Sequence, residues 1–135
     1  AARAARHIGR LHGLDRVREA RVQSIVAAIG KSLPLSTDGF YFPTESGPDD
    51  YEDWAAAEPG ARKVDEISLA EISNAMAHVA QVGLGASREE LVTASASALG
   101  FLRVTSGIRE RLDQAVTEGV RRGVLREEGA YFVAV

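Results

Sequence analysis

The sequence predicts an α+β fold, mainly helical with small β-hairpins. Three observations predict it. Apolar residues in the second half recur at helical spacing in three separate stretches, hydroxyl residues sit where helices start, and the stretch ends in two apolar runs around a Gly-containing turn. Ser68-Leu69-Ala70-Glu71 and Ser87-Arg88-Glu89-Glu90 both read as capping boxes, in which a hydroxyl accepts from a backbone N–H three residues on while a Glu reaches back. Helices are therefore expected over about 68–82 and 87–99, separated by Gly83 and Gly85. A third starts near Thr105, with Ile108, Leu112, Ala115, Val116 and Gly119 inward and Gly123 as its stop. Val124-Leu125-Arg126 and Ala130-Tyr131-Phe132-Val133 flank Glu127-Glu128-Gly129 as a hairpin. Three helices followed by a hairpin is the order of a winged helix-turn-helix.

The first half is read more coarsely. Ala1, Ala4, Ile8 and Leu11 form an apolar stripe opposite Arg3, Arg6 and Arg10, and a second helix is expected from about Arg16 to Ile29, stopped by Gly30 and Pro34. Asp38-Gly39 supplies a tight turn before Phe40-Tyr41-Phe42, an aromatic run suited to a strand. Residues 44–63 hold Gly47, Pro48, Pro59 and Gly60 among acids and read as an acidic linker in which Tyr51 and Trp54 pack. Setting Gly13-Leu14-Asp15-Arg16-Val17 beside Gly100-Phe101-Leu102-Arg103-Val104 aligns Ile25 with Leu112 and Ile29 with Val116. A three-residue slip then sets Asp38-Gly39-Phe40-Tyr41-Phe42 beside Glu128-Gly129-Ala130-Tyr131-Phe132. The expected organisation is a tandem: a partial unit over 1–43 lacking its first helix, the linker 44–63, and a complete unit over 64–135. The face left by the missing helix would need a cover, which makes a homodimer through residues 1–42 one expectation.

Composition narrows the function classes. The chain has 135 residues, 45% hydrophobic and 26% charged, as expected of a globular domain. With no cysteine there is no disulfide scaffold, thiolate nucleophile or Cys-ligated metal site, which fits a cytoplasmic location. No apolar run is long enough for a membrane span, and the start Ala1-Ala2-Arg3, without an initiator Met, points to a fragment of something longer. Residues 1–31 carry seven basic side chains against Asp15 and Glu19, residues 38–71 carry ten acids against Arg62 and Lys63, and the remainder is neutral.

Catalytic motifs fail on inspection. Gly30-Lys31-Ser32 ends like a phosphate-binding loop, but the glycine that loop needs five residues earlier is Ile25. His7 and His12 are five apart, off the i, i+4 spacing of a metal pair, and His78 stands alone. No catalytic residue, metal ligand or cofactor is expected. On the third helix the outward stripe is Ser106, Glu110, Gln114, Thr117 and Arg121, nearly neutral, with Arg109, Arg111 and Arg122 on its flanks. The candidate nucleic-acid contacts are therefore Arg3, Arg6, Arg10 and Arg16, joined by Arg103, Arg109, Arg111 and Arg121.

Glu66-Ile67-Ser68-Leu69-Ala70-Glu71-Ile72-Ser73-Asn74-Ala75-Met76 and Leu99-Gly100-Phe101-Leu102-Arg103-Val104-Thr105-Ser106-Gly107-Ile108-Arg109-Glu110-Arg111-Leu112 resemble the uncharacterised winged-helix-like domain at the C-terminal end of large bacterial superfamily I DNA helicase-like proteins. The resemblance covers about residues 64–135; Gly39-Phe40-Tyr41-Phe42-Pro43 more loosely resembles the end of the preceding segment. It implies a non-catalytic module of a larger helicase-like ATPase, with DNA or other domains of that parent as partners. The alternative is a protein-interaction or dimerisation module that binds no nucleic acid.

Overall fold

A computed structural model describes residues 35–42 and 47–135. The chain divides into two compact units, residues 1–51 and 52–135. In the first, Ser36 and Asp38 shape the expected turn: the Ser36 hydroxyl accepts from the Phe40 N–H at 3.0 Å and donates to Asp38 Oδ1 at 2.5 Å. Instead of a strand, the aromatic run makes a single bridge, Leu35 with Tyr41. Phe42 is buried and meets the Tyr51 ring edge-on, with centroids 5.2 Å apart. The Arg16 to Ile29 helix lies outside the described residues.

The second unit is α+β, three helices and a small antiparallel sheet. A 3-10 turn, Val64–Glu66, leads into α1 (Leu69–Val82); β1 (Ala86–Ser87), α2 (Arg88–Ala98), α3 (Ser106–Arg121), β2 (Leu125–Glu128) and β3 (Tyr131–Ala134) follow. Each helix begins at the hydroxyl that the sequence nominated. Ser68 accepts from the Glu71 N–H, Ser87 from the Glu90 N–H and Thr105 from the Ile108 N–H, each satisfying a donor with no partner inside the helix. The box at Ser87 is complete. At Ser68 the Glu71 carboxylate turns elsewhere, accepting from the Ala55 N–H at 3.1 Å and from Arg62 at 2.7 Å.

Ile67, Ile72, Met76, Leu91, Val92, Leu99, Leu112, Val116, Leu125 and Phe132 form one buried core. It lies between α1, the other two helices and the sheet. On α3 the inward residues are Leu112, Ala115, Val116 and Gly119, as the periodicity requires. Gly119 allows close approach: a Cβ there would stand 2.8 Å from Leu125 Cδ1 and 3.2 Å from Ser73 Cβ on α1.

The sheet has the order β1-β3-β2, both pairings antiparallel. Gly129-Ala130 closes the β2-β3 hairpin with Glu128 opposite Tyr131. Tyr41, by contrast, pairs six residues back, so the aligned turns differ in register. Strand β1 is the strand of this sheet that the sequence did not reveal. Its pairs, Ala86 with Phe132 and Ser87 with Tyr131, occupy two residues, too few for an alternating pattern to register.

Residues 52–63, read as linker, are a strap on the second unit. Ala57 N–H donates to Ala98 O at 3.2 Å, Gly60 N–H to Gly100 O at 3.3 Å, and Asn74 Nδ2 to Asp53 O at 2.9 Å. Trp54, half-buried against the core, lies 5.3 Å from the exposed His78 ring. Gly100 makes the docking possible. At φ +91° it takes a backbone shape that side chains resist, and a Cβ would stand 2.7 Å from Glu58 O. Among the described residues no helix is long and apolar enough to cross a membrane.

Candidate nucleic-acid interface

The site is built on α3 and the start of α2. The stripe expected to face outward does so: Ser106, Glu110, Gln114, Thr117 and Arg121 are all exposed. Ser106, Glu110, Gln114 and Thr117 line an open groove, with Arg109 and Asp113 beside them and Arg88 contributed by α2.

Two ion pairs cross this groove. Arg109 meets Glu89 in a two-pronged contact, Nη1 to Oε2 at 2.9 Å and Nη2 to Oε1 at 3.0 Å, joining α3 to the first turn of α2. Arg88 donates to Asp113 Oδ1 at 3.3 Å, and its guanidinium lies 5.5 Å from the centroid of the Phe132 ring. Hydrogen bonding and charge from Arg109 hold the Glu89 carboxyl below its ordinary 4.5. Glu90, one residue on, is also lowered, by its bond from the Ser87 backbone N–H.

Four of the sequence candidates can be placed. Arg109 is in the groove, held by Glu89. Arg111 is partly buried and donates to Ile67 O at 2.9 Å, a brace between α3 and the entry to α1. Arg121 pairs with Glu118 one turn back on its own helix, through Nε at 2.9 Å and Nη2 at 2.8 Å. Arg103 is exposed on the α2–α3 connection. The structure thus gathers only Arg109 of these four into the groove. Arg3, Arg6, Arg10 and Arg16 lie outside the described residues.

Sequence reasoning missed Arg88. A signal was present, because a cation in the first turn of a helix opposes the helix dipole and needs another source of stabilisation. Here Asp113 and the Phe132 ring supply it. Arg122, placed on a flank of the stripe, points inward instead and donates to Ala70 O, Ser73 Oγ and Asn74 Oδ1 of α1. The hairpin carries Arg126 paired with Glu128, and Glu127 exposed beside them. Among the described residues, no group of three or more His, Cys, Asp or Glu is placed to hold a metal ion. Compared with family models, curated proteins and solved structures, the chain finds no match.

Proposed function

We propose that residues 52–135 are a winged-helix module, acting without catalysis inside a larger helicase-like ATPase of the bacterial cytoplasm and contacting its DNA. The observation that carries this reading is the element order, helix, strand, two helices and a hairpin, with β3 central in the sheet. In that arrangement α3 is the helix offered to a groove, and its stripe presents the hydrogen-bonding groups of Ser106, Gln114 and Thr117. Charge divides the labour. The second unit has nine basic residues against thirteen acidic ones, whereas residues 1–31 are strongly basic. Most of the phosphate affinity is therefore assigned to Arg3, Arg6, Arg10 and Arg16. The test is duplex DNA binding by the 135-residue chain across a salt series. Each phosphate contact adds about 0.9 to the slope of log affinity against log salt, so replacing Arg3, Arg6 and Arg10 with Gln flattens it. An unchanged slope, or no binding at low salt, removes the reading.

A second reading, a protein-contact module, is favoured by Leu84. It is 94% exposed at φ +55°, and Val82 and Val135 are exposed as well. A leucine there is costly in backbone strain and in exposed apolar surface, the combination expected of a residue kept for contact. Sedimentation that shows Leu84→Asn dissociating an oligomer would support this reading; a monomeric parent chain removes self-association as its basis.

A further inference from the structure

We propose that Arg88 and Arg109 form a second phosphate-binding pair on the α2–α3 groove, held closed by Asp113 and Glu89, which a DNA phosphodiester must displace. This rests on the DNA-contact reading and deepens it.

The two guanidinium groups arrive from different helices at one groove, whose remaining lining is Asp113, Glu110 and the neutral hydrogen-bonding side chains Ser106, Gln114 and Thr117. A guanidinium that grips a carboxylate through two nitrogens presents the same donor pair that grips a phosphate. The Glu89 contact of Arg109 is of that two-pronged kind. Exchange is feasible because both pairs are open to solvent, with side chains between 42% and 67% exposed. Ion pairs at this exposure contribute little to stability, so breaking them costs the fold little. Arg88 and Arg109 therefore differ from Arg111 and Arg122, whose donors go to backbone and side-chain oxygens of the α1 region. Of these four, Arg88 and Arg109 are the two that can leave their partners without disturbing α1.

The carboxylates set the threshold. With Glu89, Asp113 and Glu110 charged against the two arginines, the groove carries one negative charge in excess and exerts no long-range attraction on DNA. A phosphate of a DNA already bound by the chain can exchange with them. The groove then adds contacts late, after capture, and the carboxylates suppress binding to anions that reach it alone.

The test compares duplex DNA binding by the 135-residue chain, Glu89→Gln with Asp113→Asn, Arg88→Gln with Arg109→Gln, and Glu110→Gln. Glu110 lines the same groove but belongs to neither ion pair, so its variant removes charge without releasing an arginine. The doubly opened variant is expected to bind at least threefold more tightly than Glu110→Gln, with a salt slope steeper by up to about 1.8 if both arginines reach phosphates. The doubly arginine-depleted variant is expected to bind more weakly, with a flatter slope. Thermal unfolding of each variant separates a loss of fold from a loss of contact. If the parent chain binds DNA while opening the pairs gains nothing over Glu110→Gln, the carboxylate control is refuted and the DNA reading stands. If the arginine-depleted variant keeps parental affinity and slope, the second phosphate site is refuted. If neither the parent nor the opened variant binds, both readings fall.

Discussion

Replacing Gly100 with alanine tests the strap directly. At φ +91° the residue lies beyond the usual left-handed well, and an alanine pays at least about 1–2 kcal/mol for a left-handed backbone. The new methyl would also stand 2.7 Å from Glu58 O and 2.9 Å from Ala57 O, both backbone atoms with no side-chain rotation to relieve them. Relief requires the strap to lift, which weakens the Ala57 N–H to Ala98 O and Gly60 N–H to Gly100 O bonds. At roughly 0.5–1.5 kcal/mol each, these bring the expected loss to about 2–5 kcal/mol. Gly123 is the internal control. It has φ +75° and nothing within 4 Å of its would-be Cβ, so Gly123→Ala should lose only the conformational part, about 1–2 kcal/mol. Equilibrium urea unfolding measures both variants, and amide exchange at Ala57 and Gly60 should accelerate in Gly100→Ala alone. Equal losses in the two variants, with unchanged exchange at the strap, would refute the argument.

Three further outcomes are expected. Ser95 is fully buried with a hydroxyl that has no hydrogen-bond partner, so Ser95→Ala should be neutral or stabilising by up to about 1 kcal/mol in urea unfolding; a clear loss would mean the hydroxyl has a role. Trp54→Ala should lose about 2 kcal/mol, less than a fully buried tryptophan, and loosen the strap; an unchanged urea midpoint would show the ring to be ornamental to the fold. Carboxyl carbon NMR should find Glu89 and Glu90 titrating below 4.5. Because both are lowered in the folded state, the stability that they confer is complete above the ordinary carboxylate range and is lost as pH falls through their folded values. Arg109→Gln should return Glu89 toward 4.5 and leave Glu90, held by the Ser87 N–H, where it was; movement of both together would contradict the assigned causes.

Local chemistry made the helices legible. Ser68, Ser87 and Thr105 are caps whose partner is three residues away, and the inward set of α3 follows from a period of 3.6. The hairpin was legible for the same reason, since its turn and both arms are contiguous. What stayed hidden depends on residues far apart in sequence. Ala86 becomes a strand only because Phe132 lies beside it, and the strap becomes part of the fold only because Gly100 leaves room for Glu58. The groove was half legible. Arg109 was read as a flank residue, but its partner Glu89 is twenty positions away, and the Arg88–Asp113 pair spans twenty-five. Glu89 stands in the first turn of α2, where a carboxylate suits the helix dipole without a partner from another helix. Charge patterning within one helix could not reveal a contact between two.

The position of β3 in the middle of the sheet bears on how the protein comes to be made. Strands β1 and β2 each pair with β3 and not with one another, so neither has a partner strand until residues 131–134 have emerged from the ribosome. The three helices, closed by local caps and sharing the core, can assemble earlier, but Phe132 completes that core only with the last strand. Ala86 must meanwhile wait for a partner 46 positions later. Synthesis at about 5–20 residues per second leaves that interval open for several seconds, during which the apolar sheet-facing side of α1 is uncovered. Pausing within this interval would prolong the exposure, and a chain released before residue 131 would carry a helical core with no sheet to close it.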